Sequence, residues 1–393
     1  MKFKATHILA TATASFALWA CSSVKHVPDG KYLLDKVDIT VDSPDEIATE
    51  DLQYFLRQTP NHKVLGFARL QLATYSLSGA DSARWYNKWL RRIGQAPVIY
   101  DSALTVASAR QLRTAMINRG YMDATVEIDT VVNGDKRMGV EYKIHTGDPH
   151  YIASVAYDIP DTAIRRLVMA DSAALLKLSS GSIFDRNRLD EMRAGITSEV
   201  RNHGYYDCNK DNITFIADTT AGSKAIDLTL MLRSPKAGAS ADSTDNYRRY
   251  DIRKVVFVTN YDPKLGGEYA RNNAVDTVEY KDITVLYGKD RYLKPQTLEE
   301  KCYIRPGYPY DAGDVDRTYA ALSQLGIAKF INIEMVPAGT VDGVTWMDAY
   351  VLMSRNRKQA ISVEVDGTNS EGDFGFGVGV TYQHRDLARG SEL

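Results

Sequence analysis

The stretch that runs from Phe184-Asp185 to Asn202-His203-Gly204-Tyr205-Tyr206-Asp207 echoes an earlier one, from Tyr100-Asp101 to Asn118-Arg119-Gly120-Tyr121-Met122-Asp123. The aromatic-to-glycine distance is 20 residues in both. A third copy, Tyr310-Asp311 to Gln324-Leu325-Gly326-Ile327, is shorter, at 16 residues. The Asp after the aromatic suits a helix N-cap, where it also complements the helix dipole. Between cap and glycine, Leu112, Met116 and Ile117, then Leu189, Met192, Ile196 and Val200, recur at helical spacing. The glycine can take the left-handed conformation that stops the helix. The following Tyr121 or Tyr205 can then pack under a sheet.

Working outward, two strand-like runs follow each stop: Ala124–Val132 with Val140–His145, Ile213–Asp218 with Ile226–Leu232, and Phe330–Val336 with Trp346–Met353. A leading strand precedes each helix, at Lys36–Val41, Ile152–Ile159 and Ile252–Thr259. First helices are predicted at Ile47–Gln58 and Asp161–Leu176. The unit is therefore strand, helix, helix, strand, strand, an α+β class. So small a unit buries little core, and a three-stranded sheet with helices on one face suits it. Chance resemblance among generic α+β patterns is the competing reading; the equal spacings and the Gly-Tyr echo argue against it.

The expected divisions are 35–149 for the first unit, 150–235 for the second and 251–357 for the third, with a linker at 236–250 and a distinct tail at 358–393. Ser234–Asn246 is small and polar, as an exposed linker should be. Pro263–Tyr280 is also polar and reads as decoration on the third unit. The first unit carries a long insertion between its helices, with Arg57–Gly66, Gly94–Asp101 and, between them, Trp85 and Trp89 one helical turn apart among basic residues. That aromatic, basic face suits a partner or a membrane; packing of both Trp side chains onto the first unit is the favoured expectation.

At the N-terminus, Lys2 and Lys4 precede the apolar stretch Ile8–Ala20, which ends in Leu18-Trp19-Ala20-Cys21. This is the pattern of a secretory signal peptide (1–20) with a lipid-attachment box, leaving Cys21 as the acylated residue of a linker at 21–34. The stretch is shorter than the roughly 20 apolar residues of a spanning helix. An ordinary signal peptide with an incidental Cys is the alternative, and Trp19 is bulky for such a box.

Of 393 residues, 44% are apolar and 25% charged, with net charge −2, so no basic field points to nucleic acid. Besides Cys21 there are only Cys208 and Cys302; they are expected as separate thiols, with a disulfide as the alternative. No metal signature, GxSxG elbow or P-loop appears, and His145 and His150 flank an ordinary Thr-Gly-Asp-Pro turn. No catalytic, cofactor or metal site is expected.

In the tail, Ile361, Val363 and Val365 alternate with Ser362, Glu364 and Asp366. After a polar turn at Gly367–Asp373, Phe374, Phe376, Val378, Val380 and Tyr382 alternate with Gly375, Gly377, Gly379, Thr381 and Gln383. One apolar and one small or polar face is the pattern of a transmembrane barrel strand. A soluble hairpin shares it.

With these features in place, the chain resembles the BamA/TamA superfamily of outer-membrane assembly factors, in particular its lipidated TamA-like branch (TamL). The resemblance rests on the lipobox followed by Lys25-His26-Val27-Pro28-Asp29-Gly30-Lys31-Tyr32-Leu33-Leu34, on three units with the POTRA order β-α-α-β-β, on the two insertion motifs, and on Asp366–Asp373 with Tyr382–Leu387. It implies tandem POTRA domains in the periplasm, followed by the first strands of a transmembrane β-barrel. Localisation would be the outer membrane, lipid-anchored. Ile361, Val363 and Val365 would belong to the seam strand, and Phe374, Phe376, Val378, Val380 and Tyr382 would face lipid. The implied partners are outer-membrane lipid, unfolded outer-membrane protein clients and a TamB-like periplasmic protein; no nucleic acid and no cofactor are implied. Clients would bind by β-augmentation on sheet edges and then at the barrel seam.

A 16-stranded barrel of that family needs on the order of 160 residues in strands, so the chain is expected to hold only the opening of such a barrel. The alternative function is a lipid-anchored periplasmic scaffold whose POTRA modules bind partners without inserting anything.

Overall fold

The computed structural model describes residues 24–42, 47–63, 69–79, 81–134, 136–176, 178–219, 223–233, 235, 247–289, 291–326, 328–356, 359–370 and 373–384. The expected signal peptide, Cys21, Val64–Gly66 and residues 236–246 of the expected linker lie outside them.

In chain order the first segment is β1 (Leu33–Val41), α1 (Thr49–Leu52), α2 (Leu70–Ser76), α3 (Trp85–Ile93), α4 (Ser102–Asn118), β2 (Thr125–Val132) and β3 (Arg137–His145). The second is β4 (Tyr151–Asp158), α5 (Thr162–Ala170), α6 (Ser172–Leu175), α7 (Arg186–Asn202), β5 (Ile213–Thr219) and β6 (Ala225–Leu232). The third is β7 (Tyr250–Val258), α8 (Gly266–Asn272), β8 (Asp276–Tyr280), β9 (Ile283–Tyr287), α9 (Pro295–Glu300), α10 (Ala312–Gln324), β10 (Ala328–Val341) and β11 (Val344–Arg355). A hairpin, β12 (Gln359–Ser370) and β13 (Asp373–His384), follows. The class is α+β, and the strand-helix-helix-strand-strand order recurs three times, with insertions in the first and third segments. The sheets run β1-β3-β2, β4-β6-β5, β10-β11-β7-β9-β8 and β12-β13.

The chain forms two compact units, Met1–Val155 with Ser179–Arg188 and Ala217–Leu228, and Ala156–Leu178 with Leu189–Ile216 and Thr229–Leu393. In the first, β1 pairs parallel with β3, setting Val37 opposite Val140 and Ile39 opposite Tyr142. Helix α4 lays Leu112, Ala115 and Met116 into the cluster that holds Val140, Tyr142 and Ile144. Each fully buried aliphatic of this kind contributes about 1.5–3 kcal/mol. Helix α1 continues as a 3-10 turn over Gln53–Phe55 and ends there, short of the expected Ile47–Gln58. Leu56 is already extended, and the Arg57 N–H donates to Ser108 Oγ (2.9 Å). Thr59, preceding Pro60, is likewise biased against helix.

In the second unit, β7 is buried on both faces. One face packs Ile252, Val255 and Phe257 with Val285, Met347 and Leu322. The other packs Val256 and Val258 with Leu352 and Ala270 of α8. The polar run Pro263–Tyr280, expected as decoration, therefore contributes a covering helix and strand β8. The β8–β9 turn has no glycine or asparagine; Lys281 itself takes φ 48°, which removes the usual hairpin signal. The helix expected over Asp161–Leu176 is broken at Asp171, where φ is −111° and ψ 34°.

The repeat's special residues behave as the spacing requires. Asp101 accepts from the Ala103 and Leu104 N–H groups (2.8 and 3.4 Å), Asp185 from Asn187 (2.8 Å) and Asp311 from Asp314 (3.1 Å). Gly120, Gly204 and Gly326 have φ of 98°, 99° and 64°. The Gly120 carbonyl accepts the His150 N–H, and the Gly204 carbonyl the Tyr250 N–H, each at 2.9 Å. At Gly326 the donor is a side chain, Asn356 Nδ2, at 3.3 Å.

Two outcomes test this account. A Cβ at Gly120 would lie 2.3 Å from the Phe184 carbonyl oxygen, whereas one at Gly326 meets nothing within 4 Å. Gly120→Ala is expected to cost more than about 3 kcal/mol and Gly326→Ala about 1, read from urea midpoints. On β11, Asp348 is 4% exposed and receives two hydrogen bonds from Arg253 (2.8 and 2.7 Å). Burial alone would raise its pKa, but Arg253 and Lys254 outweigh it and hold it below 3.8. The stabilisation is therefore full at neutral pH and is lost as pH falls through that lowered value. Asp348→Asn should cost about 1–3 kcal/mol at pH 7 and progressively less as the pH is lowered through the acid range.

Candidate functional site

Three features of the described surface suit recognition of extended chains or of lipid. The first is the edge of β1 beyond Leu34, whose own N–H is taken by the Val98 carbonyl (2.8 Å). A groove of about 690 Å³ runs beside it, lined by five consecutive residues, Lys36–Thr40, and across from them by Gln53, Leu56 and Pro60. Consecutive lining residues bring the strand's edge into the groove, and Glu141 of β3, which pairs with Asp38, also lines it. Its polar wall is tied down, with Lys36 Nζ 2.6 Å from Asp38 Oδ2 and Thr40 Oγ1 donating to Glu141 Oε1 (3.3 Å). The opposite wall exists because α1 stops early and the chain turns through Pro60. An edge strand facing such a wall can accept an added strand.

The remaining edges differ. Strand β10 is interrupted by Pro337 and by register shifts at both ends of its pairing with β11, devices that blunt an edge. Strand β2 carries exposed Val131 and Val132.

The second feature is the C-terminal hairpin, which is antiparallel and in unbroken register. Ile361 stands opposite Tyr382, Val363 opposite Val380 and Val365 opposite Val378. Directly opposed residues share a face, so the apolar side chains of both strands form one surface. Those six residues are 57–70% exposed. Gly367 opposes Phe376 and Asn369 opposes Phe374. Each strand has 12 residues, enough for a crossing of about 9–11. The expected turn at Gly367–Asp373 is shorter than predicted, because both strands continue to Ser370 and Asp373.

The third is the insertion in the first segment. Its two motifs, distant in sequence, meet: Asn61 Nδ2 donates to the Ala96 carbonyl (2.8 Å) and Asn61 Oδ1 accepts from the Val98 N–H (3.0 Å). Gln58 Oε1 accepts from the Asp101 N–H (3.2 Å). The expected burial of Trp85 and Trp89 is not found; both are exposed. Both, with Ile93, are turned outward because the polar Asn87 is the buried residue of their helix, while Leu90 is half-buried. Sequence spacing alone does not reveal which face a short inserted helix buries.

Cys21, the expected acylation site, lies outside the described residues, the nearest of which is Val24. Cys208 and Cys302 are both free and buried. Among the described residues no group of three His, Cys, Asp or Glu is placed to hold a metal ion, and no helix is long and apolar enough to cross a membrane.

No protein-family model and no curated protein matches the chain. Solved structures do. Haemophilus influenzae BamA POTRA3-5 superposes with TM-score 0.39 at 15% identity, over 84% of this chain and 100% of that one. BamA from Haemophilus ducreyi lacking POTRA domains 1-3 gives TM-score 0.37 at 13% identity, over 59% of this chain and 34% of that one. POTRA1-3 of the periplasmic domain of Omp85 from Anabaena gives 0.26 at 10%, over 84% and 98%. Likeness of this degree assigns neither family membership nor function.

Burial pushes the Cys208 thiol up to about 12 and that of Cys302 up to about 11. Only thiolate alkylates readily. In a Cys21→Ser chain at pH 8, iodoacetamide should label neither thiol until urea is added, after which mass spectrometry should find both labelled.

Proposed function

We propose that this chain is the POTRA-containing region of an outer-membrane protein assembly or translocation factor of the TamA-like type, tethered to the outer membrane through acylated Cys21. Residues 35–149, 150–235 and 251–357 are its three POTRA domains, and 358–393 opens a barrel. The observation that carries the reading is the hairpin. Six exposed apolar side chains in register on one face are a liability in water and are at home against lipid. On this reading Ile361, Val363 and Val365 lie on the seam strand, and Phe374, Phe376, Val378, Val380 and Tyr382 face the bilayer. Extended segments of outer-membrane protein clients, or of a TamB-like partner, add to exposed sheet edges, foremost the groove beside β1. The role needs no catalytic residue and no cofactor.

The alternative is a lipid-anchored scaffold that binds partners through the same edges and inserts nothing. The groove beside β1 favours neither over the other; the hairpin separates them.

In outer membranes probed with an antibody to residues 30–230, the assembly-factor reading expects a species well above 43.8 kDa whose gel mobility shifts on heating, as closed barrels do. A band at 43.8 kDa without a heat shift would sink that reading and leave the scaffold. Val380→Arg should cost about 2–4 kcal/mol of barrel stability if Val380 faces the bilayer midplane, seen as loss of the unheated band, and should change little in a scaffold.

A further inference from the structure

Helix α3 is built inside out. At 100° per residue, Trp85, Trp89 and Ile93 share one side, flanked by Lys88 and Arg92. Trp85 is 78% exposed and Trp89 56%, while the buried position is the polar Asn87. The reason is local. Asn87 Oδ1 accepts the Gly79 N–H (2.8 Å) and its Nδ2 donates to the Asp81 carbonyl (2.6 Å). Arg91, one turn on, donates to Ser78 Oγ (3.2 Å) and to the Gly79 carbonyl (2.9 Å). The polar side chains hold the helix to the protein and leave the aromatic ones facing out. The helix carries Lys88, Arg91 and Arg92 and no carboxylate. Exposed Trp flanked by cations is the composition of helices that lie in a membrane interface.

A separate observation places the residues that follow Cys21 next to this helix. The first described residues are clamped to the same loop. Lys25 Nζ donates to the Ser76 and Ser78 carbonyls, both at 3.2 Å. The His26 ring meets Tyr75 edge-on at 5.4 Å, and Val27 is buried with Leu72. Only Ser22 and Ser23 separate Cys21 from Val24, a span of at most about 10 Å.

We infer that α3 docks in the membrane interface beside the acyl anchor. Trp85, Trp89 and Ile93 enter the headgroup–acyl boundary, and Lys88 and Arg92 meet anionic lipid phosphates. The inference takes from the anchor reading only the direction in which the bilayer lies. A second contact beside the acylated Cys21 orients the first segment on the membrane.

The full chain with Cys21→Ser, Trp19→Phe and Trp346→Phe leaves Trp85 and Trp89 as its only tryptophans, since the chain has four. On mixing with equimolar phosphatidylethanolamine and phosphatidylglycerol vesicles, their emission should move to shorter wavelength and be quenched by lipids brominated on the acyl chains. Lys88→Glu with Arg92→Glu should weaken that response about tenfold or more, with an unchanged circular dichroism spectrum. Emission unmoved by vesicles, even when the hairpin carries the chain onto them, would overturn the inference. So would emission that responds only to added periplasmic protein, or a response indifferent to the charge reversal. Labelled palmitate incorporated into the wild-type chain tests the anchor separately. Its absence, with quenching retained, would remove the anchor and leave the helix contact standing.

Discussion

A single main-chain hydrogen bond recurs where one segment hands over to the next. The glycine that stops the long helix, Gly120 or Gly204, turns its carbonyl to the N–H of His150 or Tyr250, at the head of the following segment. That residue's carbonyl in turn accepts the N–H of Phe184 or Tyr310, the aromatic that precedes the next long helix (2.8 and 2.9 Å). The first segment has the second half of the device, with the Tyr100 N–H on the Tyr32 carbonyl at 2.8 Å. A positive φ at the glycine is what aims the carbonyl. A Cβ at Gly120 would collide with the Phe184 main chain (2.3 Å), and one at Gly204 with the Arg249 side chain (2.6 Å). Helix stop, strand start and helix start are thus fixed by one constraint.

That constraint explains what was legible in the sequence. The aromatic-Asp and Gly-Tyr pairs are local signals with local physics, so the caps at Asp101, Asp185 and Asp311 and the three left-handed glycines follow directly from spacing. Strand β9 and helix α8 did not. The β8–β9 hairpin turns on Lys281 rather than on glycine, and the burial of Ala270 depends on a sheet face that only tertiary structure creates. The early end of α1 was hidden for the same reason, since the Ser108 hydroxyl that captures the Arg57 N–H lies 51 residues away. In the tail, alternation told which residues share a face of each strand. The alignment of the two strands, Val363 against Val380, is a fact of register that composition cannot supply. The insertion motifs were visible as motifs, but their mutual contact through Asn61 was not.

The recognition features share a physical economy. The hairpin keeps its apolar side chains on one face, with Ser362, Glu364, Asp366 and the glycines on the other, so that one surface suits lipid while the other stays wet. The edge of β1 keeps its polar side chains paired with each other, which leaves the backbone to do the recognising. Main-chain hydrogen bonding is tolerant of sequence. An edge of this kind therefore suits a chain that must accept many different strands rather than one.

The last glycine departs from its two predecessors. Gly326 meets the side-chain amide of Asn356 (3.3 Å), where Gly120 and Gly204 meet main chain. A main-chain partner survives every substitution except proline, whereas the contact at Gly326 depends on which residue stands at 356, so sequence drift can remove the last of the three bonds and not the first two.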